Sequence, residues 1–259
     1  MQLENKIAAV TGGSAGIGRA IAEAFLNEGA KVCIMARNAE KAARVLKEIG
    51  AGDKLVFIQG DATNQQQIES FVDKTIETFG RIDILVNNAG GAGADLQPLV
   101  TLPDAEFDLC MKWNVYSTFW ATRRALKTML EEKWGRIINI SSMEGKNGKP
   151  ILTAYSTAKH AINGMTKAVA REVGTEGITV NAICPGIIVT DIVKENGPAT
   201  AKAMGMTLDE MITAFSAEAA IKRPNKVEEV AAVAVLLASE AGAGITGTQI
   251  SVDGGTAQY

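Results

Sequence analysis

The chain has 259 residues, 47% of them apolar, with 26 glycines, 26 Lys plus Arg and 29 Asp plus Glu. A net charge of −3 and a single histidine, His160, argue against sequence-independent binding to nucleic acid or anionic membrane, and against a zinc or two-histidine iron centre. Three scattered cysteines (Cys33, Cys110, Cys184) form no disulfide scaffold, and the longest apolar run, Val230–Ala238, is too short to span a bilayer, so a soluble cytoplasmic protein without metal is expected.

Taken in chain order, Ile7–Thr11 reads as a short buried strand, followed by a glycine-rich turn and a helix over Gly18–Asn27 that stops at Glu28–Gly29. Val32–Ala36 is a second strand, and Asn38 opens a helix ending at Gly50. Leu55–Gln59 is a third strand. Thr63 with Gln66 three residues on reads as a capping box for a helix to Phe79. Ile84–Asn87, Arg136–Ile140 and Thr179–Cys184 are further strands, separated by long helices over Phe107–Glu132 and Ala154–Val173. Val227–Leu237 is the last helix and Gln249–Val252 a seventh strand, ahead of Asp253-Gly254-Gly255. Strand then helix, repeated, predicts one α/β domain over residues 1–259, a doubly wound parallel sheet of about seven strands with helices on both faces. Residues 187–224 break the rhythm. Met204, Met206, Leu208, Met211, Ile212 and Phe215 recur there without a strand, directly after strand six, which predicts a small helical substrate lobe.

The turn after the first strand is Thr11-Gly12-Gly13-Ser14-Ala15-Gly16-Ile17-Gly18. Glycines 12, 16 and 18 let the backbone turn sharply and approach a pyrophosphate, while the helix behind offers free N–H groups and the positive end of its dipole. Gly12, Ser14 and Gly16 also spell the G-x-S-x-G of a hydrolase nucleophile elbow, but a triad would have to recruit His160, the one histidine present.

The loop resembles that of the short-chain dehydrogenase/reductase family, T-G-x-x-x-G-x-G. The likeness extends along essentially the whole chain: Asn87-Asn88-Ala89-Gly90 after strand four, Ser142 thirteen residues before Tyr155, Tyr155-Ser-Thr-Ala-Lys159, Pro185-Gly186 after strand six and Val252–Gly255 near the end. The resemblance implies a Rossmann-type fold and carbonyl–alcohol interconversion by hydride transfer. Carbonyl reduction needs a proton donor within reach of the developing alkoxide. Tyr155 and Lys159, four apart on a helix, share a face, and a nearby cation lowers a phenol's pKa. By resemblance Tyr155 is the general acid/base, Lys159 depresses its pKa and bonds the nicotinamide ribose, Ser142 steadies the substrate oxygen, and Asn114 holds a relay water. Ser141 is chemically equal to its neighbour, and the spacing favours Ser142.

A Rossmann site for NAD places an acidic residue at the end of the second strand. Here Arg37 stands there, nineteen positions after Gly18, and a guanidinium suits the 2′-phosphate of NADP. NADP(H) is therefore favoured over NAD(H), although Ala15 is uncharged where many NADP-preferring relatives carry Arg or Lys. By resemblance the cofactor would also meet Ile17, Asp61, Ala62, Asn88, Ala89, Gly90, Pro185, Gly186, Ile188 and Thr190. Subfamily likenesses point to 3-oxoacyl carrier-protein reductases, polyketide-type ketoreductases and 3-hydroxybutyrate dehydrogenases. Lys146, Lys149, Lys194 and Lys202 are candidate contacts for a phosphopantetheine or carboxylate. The resemblance further implies a homotetramer, with a dimer second, built on the two long helices. An NAD-linked secondary-alcohol dehydrogenase running oxidatively and a non-catalytic dinucleotide sensor are the alternatives.

Overall fold

A computed structural model describes residues 1–93 and 96–257, side chains 192 and 196 excepted. Short apolar runs form seven parallel strands: β1 (Ile7–Thr11), β2 (Lys31–Ala36), β3 (Leu55–Gln59), β4 (Ile84–Asn87), β5 (Gly135–Ile140), β6 (Ile178–Pro185) and β7 (Gln249–Val252). Their spatial order is β3-β2-β1-β4-β5-β6-β7, so the chain reverses its winding between β1 and β4. Both faces are covered, which is why β1, β4, β5 and β6 are buried at every position instead of alternating.

The helices are α1 (Gly16–Asn27), α2 (Ala39–Ile49), α3 (Gln65–Phe79), α4 (Asp104–Met111), α5 (Ser117–Glu132), α6 (Thr153–Val173), α7 (Asp191–Ala203), α8 (Leu208–Glu218) and α9 (Val227–Ala238). Ile21 and Phe25 of α1 and Val230, Ala234 and Leu237 of α9 pack with one sheet face. Ile68, Phe71 and Val72 of α3, Ala121, Ala125 and Met129 of α5, and Ala170 and Val173 of α6 fill the other. Phe25 and Phe71 are fully buried, and burying such a side chain contributes about 1.5–3 kcal/mol.

Two local expectations are corrected. Thr63 does not cap α3, because the Asp61 carboxylate already holds its N–H and hydroxyl at 2.8 and 2.9 Å; Asn64 takes the position and accepts from Gln67 N at 3.1 Å. The long helix expected over Phe107–Glu132 begins at Asp104 and is interrupted by a π-turn over Lys112–Tyr116, which contains Asn114. Residues 187–224 fold into α7 and α8, and the segment is closed at its base by a β-bridge between Ile188 and Asn225. No helix among the described residues is long and apolar enough to cross a membrane.

Where β1 and β4 part company, their ends are tied by side chains. Thr11 Oγ1 accepts from the N–H groups of Asn88 and Ala89, both at 3.0 Å. Asn88 Nδ2 donates back to the carbonyls of Thr11 and Gly12 at 3.0 and 3.1 Å. Replacing Thr11 with Val keeps the shape but leaves two backbone donors without this acceptor, at a cost of about 2 kcal/mol. The expected result in calorimetry is a thermal midpoint lower by about 4–8 °C; an unchanged midpoint would show that the tie carries no weight.

Candidate active site

A cleft of about 610 Å³ runs along the C-terminal ends of the strands. Its position at the winding reversal is where doubly wound sheets hold nucleotides. At one end lie Gly12, Ser14, Ala15, Gly16 and Ile17 of the β1–α1 turn. Gly12 has φ +68, and a Cβ there would stand 2.8 Å from Asn88 Nδ2. Gly18 does not line the cleft; a Cβ on it would collide with Asn88 and the Gly12 carbonyl, so its role is to let α1 pack against the turn. No side chain caps α1, as none caps α4, α5, α6 or α7, whereas Asn38, Asn64 and Thr207 cap α2, α3 and α8. An uncapped helix N-terminus behind a bare glycine cradle fits a pyrophosphate.

Beyond the turn, Arg37, Asn38 and Lys41 edge the cleft after β2. The exposed Arg37 guanidinium stands 5.7 Å from the centre of the Trp113 ring. Lys41 pairs with Asp191 at 2.8 Å, joining α2 to the start of α7 across the cleft; that pairing was not foreseen from sequence. Gly60 and Ala62 line the wall after β3, while Asp61 lies outside it with its carboxylate turned onto Thr63. Asn88, Ala89, Gly90, Pro185, Gly186, Ile188 and Thr190 all border the cleft.

The other end is built by docking α6 onto the end of β5. Ser141 Oγ donates to the Lys159 carbonyl at 3.2 Å, Asn163 Nδ2 donates to the Gly145 carbonyl at 2.8 Å, and Lys159 Nζ donates to the Ile140 carbonyl at 2.9 Å. Below them Asn87 Nδ2 donates to Asn139 Oδ1 at 2.8 Å, and Asn139 Nδ2 to Thr166 Oγ1 at 2.9 Å, linking β4, β5 and α6. Ser142, Tyr155 and Lys159 are thereby brought together on the cleft wall. The pair Ser141 and Ser142 is divided in role: Ser141 is spent on the α6 backbone, and the Ser142 hydroxyl acts on the Tyr155 phenol.

Asn114 lies beside this group, since a Cβ on Gly90 would meet both its Oδ1 and Lys159 Nζ. It is fully buried, with Nδ2 donating to the Gly91 and Cys110 carbonyls at 2.9 Å and Oδ1 accepting from Gly91 N at 3.2 Å. Its amide braces the loop after β4 and does not line the cleft. His160 lies in a separate outer groove with Lys146 and Lys149, its Nδ1 2.9 Å from the Ser156 carbonyl, and Ser14 is not part of that groove. The hydrolase arrangement is therefore not assembled. Lys194 and Lys202 do not border the cleft either; of the apolar lobe residues foreseen, Met211 and Phe215 do, joined by Val193, Met143 and Leu152.

The expected lowering of the Tyr155 pKa is corrected. Burial pushes the phenol up to about 12, outweighing the opposing hydrogen bond from Ser142. Burial likewise pushes Lys159 down to about 8. Both shifts have one cause, desolvation of the charged form. The ammonium stands 5.4 Å from the Tyr155 ring centre with the Ile140 carbonyl as its hydrogen-bond acceptor. Glu144, two residues after Ser142, is pushed up to about 7, chiefly by burial.

A glycine cradle at a helix N-terminus facing a Ser–Tyr–Lys group across one cleft defines a nucleotide-dependent oxidoreductase. The sequence profile of short chain dehydrogenases matches residues 6–201. The chain is 37% identical to an L-2,3-butanediol dehydrogenase of Corynebacterium glutamicum, covering 97% of this chain and 98% of that protein. It is also 37% identical to a D-beta-hydroxybutyrate dehydrogenase of Rhizobium meliloti, covering 98% and 99%. Among solved structures, a point variant of actinorhodin polyketide ketoreductase with NADPH superposes with a TM-score of 0.92 at 33% identity, covering 100% of this chain and 99% of that one. The chain belongs to the short-chain dehydrogenase/reductase family and is an NAD(P)-dependent oxidoreductase acting between ketone and secondary alcohol.

Glu144 gives the site a pH signature. In the folded chain its carboxyl keeps a proton up to about 7, against an ordinary value of 4.5. Between those values the folded state binds more protons than the unfolded one, so this residue's contribution to stability falls as pH rises from 4.5 through 7. In thermal melts from pH 5 to pH 8, E144Q should gain stability relative to wild type as pH rises; parallel curves would contradict the buried acid.

Proposed function

We propose that the protein is an NADP(H)-dependent reductase of a ketone, with Tyr155 as the proton donor to the substrate oxygen. The observation that carries this reading is the grouping of Ser142, Tyr155 and Lys159 at one end of a cleft whose other end is the bare glycine cradle. The bound nicotinamide nucleotide supplies the hydride. Gly12, Ser14, Ala15, Gly16 and Ile17 would hold its pyrophosphate, Ala62, Asn88, Ala89 and Gly90 its adenosine side, and Pro185, Gly186, Ile188 and Thr190 its nicotinamide side. Arg37 would clamp the 2′-phosphate, and the neighbouring α2 N-terminus adds favourable dipole. The solved ketoreductase relative with NADPH supports the same preference.

Ser142 donates a hydrogen bond to the carbonyl oxygen, and this bond strengthens as the oxygen gains charge. Tyr155 then gives that oxygen its proton. A phenol held near 12 stays protonated at neutral pH, the form that can donate to the substrate oxygen. Lys159, at about 8, still carries its charge at neutral pH and steadies the phenolate left behind. Asn114 acts through the loop it braces. Residues 187–224 form the substrate lobe, with Val193, Met211 and Phe215 against the substrate.

A cytoplasmic homotetramer completes the reading. Leu109 of α4, Tyr116 and Phe119 are exposed along the α4–α5 surface, which supports an interface there. The α6 helix, expected to share that role, contributes none of the exposed large apolar residues among those described. Light scattering should give the mass of four chains.

Changing Tyr155 to Phe should lower ketone-dependent NADPH oxidation by about 10²–10⁴-fold while fluorescence still shows NADPH binding. Undiminished turnover in Y155F would overturn the assigned proton donor.

A further inference from the structure

The reaction just described employs Ser142, Tyr155 and Lys159 and leaves one acid at the same end of the cleft without a task. Glu144 sits in the short turn Met143–Gly145, whose first hydrogen bond runs from Glu144 N to Ser142 Oγ at 3.1 Å. The residue is 4% exposed, yet it borders the cleft. Its Oε2 is sealed from solvent with no hydrogen-bond partner, and no ion pair reaches the carboxyl among the described residues. A buried carboxyl in that condition is unfavourable unless something else pairs with it.

The charged groups that face Glu144 from neighbouring elements do not supply the partner. They are Lys149 from the loop before α6, His160 from α6 and Glu218 from α8. Lys149 is bound to Glu218 at 2.8 Å and lies over the Phe215 ring, 3.6 Å from its centre. His160 has its Nδ1 at the Ser156 carbonyl. The cleft lining also contains the apolar side chains Met143, Leu152, Met211 and Phe215. An unpaired polar group set among apolar side chains can fix the orientation of a small ligand.

We propose that Glu144 is a specificity residue whose carboxyl pairs with a hydroxyl borne by the substrate near its reacting carbon, so that hydroxyketones and the corresponding diols are the preferred substrate class. A hydroxyl both donates and accepts, so it pairs with the carboxyl in either protonation state. An amine would bring a second cation beside the buried ammonium of Lys159. An acid would set its carboxylate against Glu144. A plain ketone would leave the carboxyl without a partner, and sites built to bond a hydroxyl reject analogues that lack it. This assignment rests on the carbonyl-reductase reading above, and it separates this chain from a relative whose substrate, hydroxybutyrate, is an acid.

Two matched pairs of probes test it: 3-hydroxybutan-2-one against butan-2-one, and 2-hydroxycyclohexanone against cyclohexanone, each followed by NADPH oxidation. The wild-type chain should favour the hydroxylated member of at least one pair by about tenfold or more in kcat/KM. E144A should lose that preference, and E144Q, which keeps an acceptor oxygen and the shape, should retain part of it. Turnover without a preference in the wild type, or an equal preference in wild type and E144A, would overturn the role of Glu144 and leave the reductase reading intact. Turnover of none of the four probes by the wild type would count against the reductase reading itself, and the assignment would fall with it.

Discussion

The edge of the sheet that carries the cleft depends on how the ends of β1 and β4 are held. At this point the chain reverses its winding, so the segments that follow these strands diverge and a crevice opens between them. Left alone, the two strand ends would expose backbone donors and acceptors. The side chains of Thr11 and Asn88 satisfy four of these groups across the gap. That tie fixes the glycine turn in position, and it explains the demand for glycine at 12 and 18, where Asn88 occupies the space a Cβ would need. The uncapped start of α1 is then held open toward the cleft.

The reacting end is assembled by a second set of long-range bonds, those that dock α6 onto β5. They place a desolvated ammonium under a desolvated phenol, an arrangement that lowers the pKa of one and raises that of the other. Burying Lys159 opposes folding, and the Ile140 carbonyl and the hydrogen-bonded amide ladder of Asn87, Asn139 and Thr166 offset this. Such strain at a reacting centre is common where chemistry needs charge in a dry place. The same packing seals Glu144 beside Ser142.

Much of this was legible in the chain. The short β-rich runs alternated with helical stretches, which was enough to mark seven parallel strands, and the four-residue spacing of Tyr155 and Lys159 put them on one helix face. What sequence could not show is nearly all non-local. The Asn87–Asn139 bond joins residues 52 apart and Lys41–Asp191 residues 150 apart, with no local pattern to announce either. Thr63 lost its capping role to Asn64 because Asp61 competed for it. The phenol's pKa depended on burial, which spacing does not encode. Glu144 reads as an ordinary loop acid until the fold encloses it.

The most direct test of the account needs no substrate. The purified chain would be titrated with NADPH and with NADH, following nicotinamide fluorescence, in wild type and in R37A. The account predicts tighter binding of NADPH by the wild type and loss of that preference in R37A. Equal or tighter binding of NADH would remove Arg37 from the 2′-phosphate site, and binding of neither nucleotide would contradict the cleft as a dinucleotide site.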